Sequence, residues 1–215
     1  MTNVNMATFI TELQYFPSII YFLNLIDASD IIFDQYESYQ KMSFRNRTMV
    51  AGANGAIILS VPLTNGRNQK GLMKDIRIAN QERWQIMHLK TILSCYNRSP
   101  WFEHYQDEFC ELYRKPFNFL VDWNFACFQW SIEKLGLPWH ISLNGRPGNN
   151  KEEDGYKNKR NLVSPKNYRD FKPLNYRQVF EENLGFLPNL SILDLLFCEG
   201  SMAGVMLKQH ISNQI

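Results

Sequence analysis

The chain has 215 residues, 45% hydrophobic and 14% aromatic, with 20% charged residues and a net charge of +2. That balance fits one globular domain of ordinary size and excludes a disordered chain. It also argues against a nucleic-acid module, since no nucleic-acid motif appears in a nearly neutral chain. The longest apolar run, Phe16 to Ile26, falls short of the roughly 18 residues needed to span a bilayer. The first residues lack the positive charge of a secretory leader, so a cytoplasmic location is expected.

The charge is unevenly spread. Residues 1–40 carry five acids and no base, residues 41–100 carry ten bases against two acids, and the rest is close to neutral. The basic block points to an anionic small molecule, such as a phosphate or a nucleotide sugar, with a plain solvated basic face as the alternative. Cys95, Cys110, Cys127 and Cys198 form no Cys-x-x-Cys pair and are expected to be packed, reduced thiols.

In chain order, Ala7 to Leu13 has strand character, and Tyr15-Phe16-Pro17 ends it. Pro17 can open a helix striped by Ile19, Ile20, Phe22, Leu23 and Ile26. Asp30 to Asp34 reads as a second strand, and a crossover of this kind favours a parallel pair. Thr48 to Val50 and Ala56 to Leu63 flank Ala53-Asn54-Gly55, a strong hairpin turn. Ile76-Arg77-Ile78 has the alternation of a short edge strand.

Helices are predicted over 81–96, with Asn80 as its N-cap, then 101–115 and 117–135, the last ended by Gly136 and Pro138. Trp139 to Leu143 resembles a late strand. Residues 144–161, rich in Gly, Asn and Lys, read as a mobile loop or lid. Asn189 or Ser191 caps an apolar helix over 192–198, and a final helix runs over 201–210. The expected fold is a mixed sheet of about five strands with a helical layer, in a single domain spanning 1–215.

The densest polar and aromatic constellation lies just after the second strand. Arg45 and Arg47 offer planar donor forks for phosphate or carboxylate, and Lys41 adds a point charge. Tyr36 and Tyr39 can stack on a base or sugar, while Gln40 and Asn46 can hydrogen-bond to it. The competing expectation is an ordinary loop whose arginines pair with Asp30, Asp34 and Glu37. His88 and Glu37 are the candidate proton acceptors. Tyr15, Tyr96 and Asp194 complete the expected site, and Asp194, set among leucines, needs a partner such as an arginine. No zinc or paired-aspartate metal motif, phosphate loop or nucleophile elbow is present, and the cofactor is left unassigned.

Several blocks together resemble the WbqC-like family of bacterial surface-polysaccharide gene clusters. They are Tyr15-Phe16-Pro17 with Tyr21-Phe22, Tyr39-Gln40-Lys41 with Phe44-Arg45-Asn46-Arg47, and Leu59-Ser60-Val61-Pro62-Leu63. Trp84, His88, Tyr96, Ser99-Pro100 and Tyr105 follow, and the segment from Phe186 to Phe197 with Glu199-Gly200 closes the pattern. The resemblance implies work on a sugar or sugar nucleotide in O-antigen or related polysaccharide biosynthesis, with acyl or aminoacyl (glycine-type) transfer as one activity. A non-catalytic nucleotide-sugar binding or assembly protein is the alternative. Relatives often carry His where this chain has Tyr36, so a mechanism needing that imidazole does not carry over. One spatial expectation follows: Tyr36, Arg45, Arg47 and His88 should line a shared cavity.

Overall fold

The structure is a computed structural model that describes residues 7–66, 70–145 and 155–212. Strand β1 (Ala7–Thr11) leads through a sharp bend into helix α1 (Ile19–Asn24) and back into β2 (Ala28–Phe33). β1 and β2 pair in parallel, as their short helical crossover requires. At the bend Phe16 takes a positive φ of 36°. Its carbonyl accepts from the Thr48 and Ser191 hydroxyls at 2.9 and 3.0 Å, which hold this backbone in place.

Strands β3 (Arg47–Gly52) and β4 (Gly55–Ser60) form an antiparallel hairpin. Its turn uses Gly55 at a φ of 116°, a conformation that a Cβ would disfavour. The long helices α2 (Trp84–Tyr96), α3 (Phe102–Arg114) and α4 (Leu120–Leu135) follow, then β5 (His140–Leu143) and β6 (Lys157–Asn158). The chain closes with the short α5 (Glu181–Leu184), then α6 (Ile192–Glu199) and α7 (Met202–Ser212).

The mixed α/β architecture forms as expected, but the strands divide into two sheets. Four parallel strands lie in the order β5-β2-β1-β6, and β3-β4 stands apart as a pair. Along β2, Ile31 and Phe33 are buried while Ile32 between them is partly exposed, so one face of this strand meets the core. Phe33 meets Phe128 of α4 edge-on at 4.9 Å, and Phe128 stacks on Phe22 of α1 at 5.2 Å.

Three local expectations are corrected. Helix α2 starts at Trp84, with Arg83 at the cap position and no side-chain cap. Asn80 instead donates to the Phe117 carbonyl at 2.7 Å and accepts from the Trp84 indole at 3.4 Å, so tertiary partners claim its amide. Ile76-Arg77-Ile78 makes only single bridges, Ile78 to Leu63 and Arg77 to Phe119, and no strand. Within the stretch expected to be a loop, Lys157 and Asn158 form β6 on β1, where an open sheet edge supplies the partners. Positions 146–154 of that stretch lie outside the described residues.

Candidate functional site at the carboxyl edge of the parallel sheet

Because β5, β2, β1 and β6 run in parallel, the residues following them all emerge at one edge. In open α/β sheets that edge is where ligands bind. Glu12 follows β1, Asp34 follows β2, Asn144 follows β5, and Lys159-Arg160-Asn161 follows β6. Asn161 joins Glu12 to Arg45 and Glu37, Asn144 and Arg160 meet on Asp34, and the Lys159 ammonium lies over the Phe9 ring.

Arg45 is 2% exposed and grips Glu37 with two parallel bonds, Nε to Oε1 at 2.7 Å and Nη2 to Oε2 at 2.5 Å. Its Nη2 also donates to Asn161 Oδ1 at 2.9 Å. Asp34 accepts from Asn144 Nδ2 at 2.9 Å, from the Tyr36 backbone N–H at 3.0 Å and from Arg160 Nη1 at 2.5 Å. Glu12 accepts from Gln14 Nε2 at 2.6 Å, from the Asn161 backbone N–H at 2.7 Å and from the Thr11 hydroxyl at 3.3 Å. Tyr36, half-buried, donates to the Gly145 carbonyl at 3.2 Å, with Lys74 Nζ 5.8 Å from its ring centre.

The charges modify one another. Burial raises the Glu37 carboxyl above its usual range, and the bonds and charge of Arg45 offset this only in part. Burial pulls the Arg45 guanidinium down, but Glu37 and then Glu12 more than reverse it, so Arg45 stays protonated. The result is a carboxylate whose proton affinity burial raises and the adjacent Arg45 cation lowers.

The remaining residues of the Tyr39–Arg47 block sit around this network. The Tyr39 hydroxyl donates to Asn46 Oδ1 at 2.9 Å, and Asn46 Nδ2 donates to the Val61 carbonyl at 3.0 Å. That chain ties the block to the end of β4. Gln40 and Lys41 are exposed. Arg47 opens β3, and its Nε is buried without a hydrogen-bond partner.

His88 belongs to a different network. Its Nδ1 lies 3.0 Å from the Tyr15 hydroxyl, which lies 2.5 Å from the Tyr113 hydroxyl. The Ser60 carbonyl is its other hydrogen-bond partner. The ring packs edge-on against Trp84 at 5.2 Å, and burial lowers its pKa to about 4. A neutral ring that donates to Ser60 and accepts from Tyr15 fits these partners.

A third network surrounds Asp194 on α6. Tyr96 donates to its Oδ1 at 2.6 Å and Tyr176 to its Oδ2 at 2.5 Å. The Ala51 backbone N–H donates to the Tyr96 hydroxyl at 2.9 Å, and Gln178 Nε2 to the Tyr176 hydroxyl at 2.9 Å. Burial raises the Asp194 pKa to about 6, and the tyrosine bonds limit the rise. The expected arginine partner is replaced by two phenols, which satisfy a carboxylate in an apolar setting without importing a second charge.

Tyr36, Glu37 and Arg45 therefore come together, whereas His88 with Tyr15, and Asp194 with Tyr96, form separate networks. Among the described residues no hydrogen bond joins the imidazole to the Arg45 or Arg47 guanidinium, and Arg45 pairs with a neighbouring acid, Glu37. Sequence reasoning missed Glu12, Gln14, Asn144, Arg160 and Asn161. The available signal was position: each lies within three residues of the carboxyl end of a parallel strand. Assigning 144–161 to a loop concealed three of them. Among the described residues no group of three or more His, Cys, Asp or Glu side chains is arranged to hold a metal ion.

Surface hollows lie between α3 and α4, beside Asp107, Glu111 and Glu133, and between the β3–β4 turn and α2, beside Asn54, Lys90 and Phe180. A third, along Tyr156, Lys159 and Leu162, flanks the carboxyl-edge network. Among the described residues no helix is long and apolar enough to cross a membrane. No curated protein and no solved structure matches this chain. A family model does match, over residues 14–155, more than half of the 215, and the chain belongs to the WbqC-like protein family.

Proposed function

We propose that this chain transfers an acyl or aminoacyl group to a sugar or sugar nucleotide in surface-polysaccharide biosynthesis, using the carboxyl edge of its parallel sheet. The observation that carries this reading is the buried Glu37–Arg45 pair at that edge, with the Glu37 carboxyl raised by desolvation. Glu37 accepts the proton of the attacking hydroxyl or amine as the new bond to the acyl carbon forms and the donor's leaving group departs. Tyr36 offers a partly exposed ring for a base or sugar, and Lys74 and Lys41 lie on the block that faces the anionic part of the ligand. The polysaccharide setting rests on family membership.

His88 is the rival base. Its basicity is low, with a pKa of about 4, and its Nδ1 already faces Tyr15. The two are separated by paired variants assayed by mass spectrometry of nucleotide-sugar products. Glu37→Gln should lower turnover by about 10²–10⁴-fold, the usual worth of a general base, while nucleotide-sugar binding persists. His88→Gln should keep turnover within a few-fold. The reverse pattern would place the chemistry on the imidazole.

A binding-only reading is favoured by one observation: both Glu37 oxygens already accept from Arg45. It requires that nucleotide sugars raise the unfolding temperature and yield no product with any acyl or aminoacyl donor. A ligand at 100 times its Kd stabilises by about 2.7 kcal/mol, enough to read in such a scan.

A further inference from the structure

Arg45 and Arg47 lie two positions apart, and the fold treats them differently. Arg45 is closed off: Glu37 accepts from its Nε and Nη2, and Asn161 accepts from Nη2 as well. Arg47, half-buried at the start of β3, makes no ion pair among the described residues. Its Nε is buried with no hydrogen-bond partner. A guanidinium keeps its charge in a protein, so this donor cannot be silenced by losing a proton. A buried donor on a cation is costly to leave unmet. Nε and the adjacent Nη together give two parallel N–H donors, the geometry that Arg45 shows on Glu37 and one that fits two oxygens of a single oxyanion.

A second observation comes from the hairpin register, in which Arg47 stands opposite Ser60. Met49 and Ala51 turn their backbone groups away from β4, the Met49 carbonyl to Ser191 and the Ala51 N–H to the Tyr96 hydroxyl. By the alternation of an antiparallel ladder, Arg47 and Ser60 then form a close pair without backbone hydrogen bonds between them. Side chains of such a pair share one face, with Cβ atoms about 4.5–5.5 Å apart. Ser60 is exposed, and its hydroxyl has no protein partner among the described residues. A third donor therefore stands beside the Arg47 fork.

This corner adjoins the carboxyl edge. Of the charges acting on the Tyr39 hydroxyl, Arg47 is the strongest and Arg45 the next. The Tyr39 hydroxyl donates to Asn46 at 2.9 Å, which leaves Arg47 and Ser60 as the donors without an acceptor.

We propose that Arg47 and Ser60 form an oxyanion site that holds a phosphate group of the ligand, two oxygens on the guanidinium and a third on the Ser60 hydroxyl. The fork alone would serve a planar carboxylate. The added hydroxyl, in a stretch of ten bases against two acids, favours the tetrahedral and more highly charged phosphate. The two sources of that group are a nucleoside diphosphate and a free phosphate or diphosphate. This assignment rests on the carboxyl edge being the reaction site, and it specifies what holds the anionic part of the substrate there.

The test is calorimetric titration of the full chain, at low ionic strength, with pyrophosphate, uridine diphosphate and acetate. The diphosphates should bind, and acetate should bind at least about tenfold more weakly. Tighter binding of uridine diphosphate than of pyrophosphate identifies a nucleotide as the source, and equal binding identifies the free anion. Arg47→Gln should weaken the diphosphates by at least about tenfold. Arg47→Lys should weaken them several-fold, because lysine keeps the charge and loses the fork. Lys90→Gln, which removes an exposed charge from the hollow beside the β3–β4 turn, should leave their binding unchanged. Because the Arg47 variants can fail to fold, Ser60→Ala on the exposed side of β4 is the second: it should weaken the diphosphates several-fold. Binding of neither diphosphate, acetate binding as tightly as they do, or folded Arg47→Gln and Ser60→Ala that bind as wild type would overturn the assignment. If the diphosphates fail to bind while Glu37→Gln still abolishes transfer, only this assignment falls. If they bind through Arg47 and Glu37→Gln transfers normally, the transfer reading falls instead.

Discussion

Asp194 and His88 are buried by similar apolar surroundings, and burial moves them in opposite directions. Folded Asp194 keeps its proton to about pH 6, whereas an unfolded aspartate releases it near 4. Its contribution to stability is full below about pH 4 and is lost as the pH rises to 6. Unfolded histidine takes up a proton near 6.5, whereas folded His88 does so only at about 4. Its contribution is full above about 6.5 and is lost as the pH falls to 4. Between 4 and 6 the slopes oppose, each about 1.4 kcal/mol per pH unit. Urea unfolding across this window should show Asp194→Asn gaining stability with rising pH relative to wild type, and His88→Gln losing it. Parallel curves for all three would show that neither burial shift operates. At this scale the legible residues were those whose type and spacing carry chemistry, such as Glu37 and Arg45 in a run of rings and cations. Glu12 was not legible, because one glutamate after an apolar run reveals nothing until the sheet brings Asn161, 149 positions away, onto its carboxylate.

Elements whose signals are local were readable, and elements decided by distant partners were not. The β1-α1-β2 unit follows from an apolar stripe and Pro17, and the hairpin from Asn54-Gly55. β6 has two exposed polar residues and no intrinsic strand pattern, and exists because β1 offers an edge. Helix ends divide the same way. Gly136 ends α4 in left-handed backbone, φ 61°, and nothing lies within 4 Å of where its Cβ would be. Gly204 in α7 is a different case: a Cβ there would lie 1.9 Å from the Leu135 carbonyl oxygen at the end of α4. Gly136→Ala should cost about 1–2 kcal/mol, the price of one strained residue. Gly204→Ala should cost about 3 kcal/mol, because a backbone atom cannot step aside and α7 must shift away. Thermal unfolding ranks the two, and equal losses would mean that α7 is free to move off α4.

At the scale of the whole molecule, the core extends past both ends of the stretch that the family model matches. Residues 14–155 leave out β1, which lies between β2 and β6, and β6 itself. They also leave out α6, where Ile192, Leu193, Leu195, Leu196 and Phe197 are fully buried. That helix is bound to early parts of the chain by backbone hydrogen bonds: Ile192 N–H to the Pro17 carbonyl at 2.8 Å, Ser191 N–H to Met49 at 2.8 Å, and Ile19 N–H to Leu190 at 2.8 Å. Each of those five side chains contributes about 1.5–3 kcal/mol by burial, a sum comparable to the net stability of a whole domain. A fragment of residues 14–155 should therefore lack a cooperative calorimetric transition and should bind an apolar dye strongly, whereas residues 7–212 should unfold in one transition. A sharp transition in the fragment would mean that Phe22, Phe33 and Phe128 build a sufficient core without β1 and α6. Its absence would mean that the carboxyl-edge network, which needs β1 for Glu12 and the segment after β6 for Arg160 and Asn161, forms only as the two ends of the chain close on the middle.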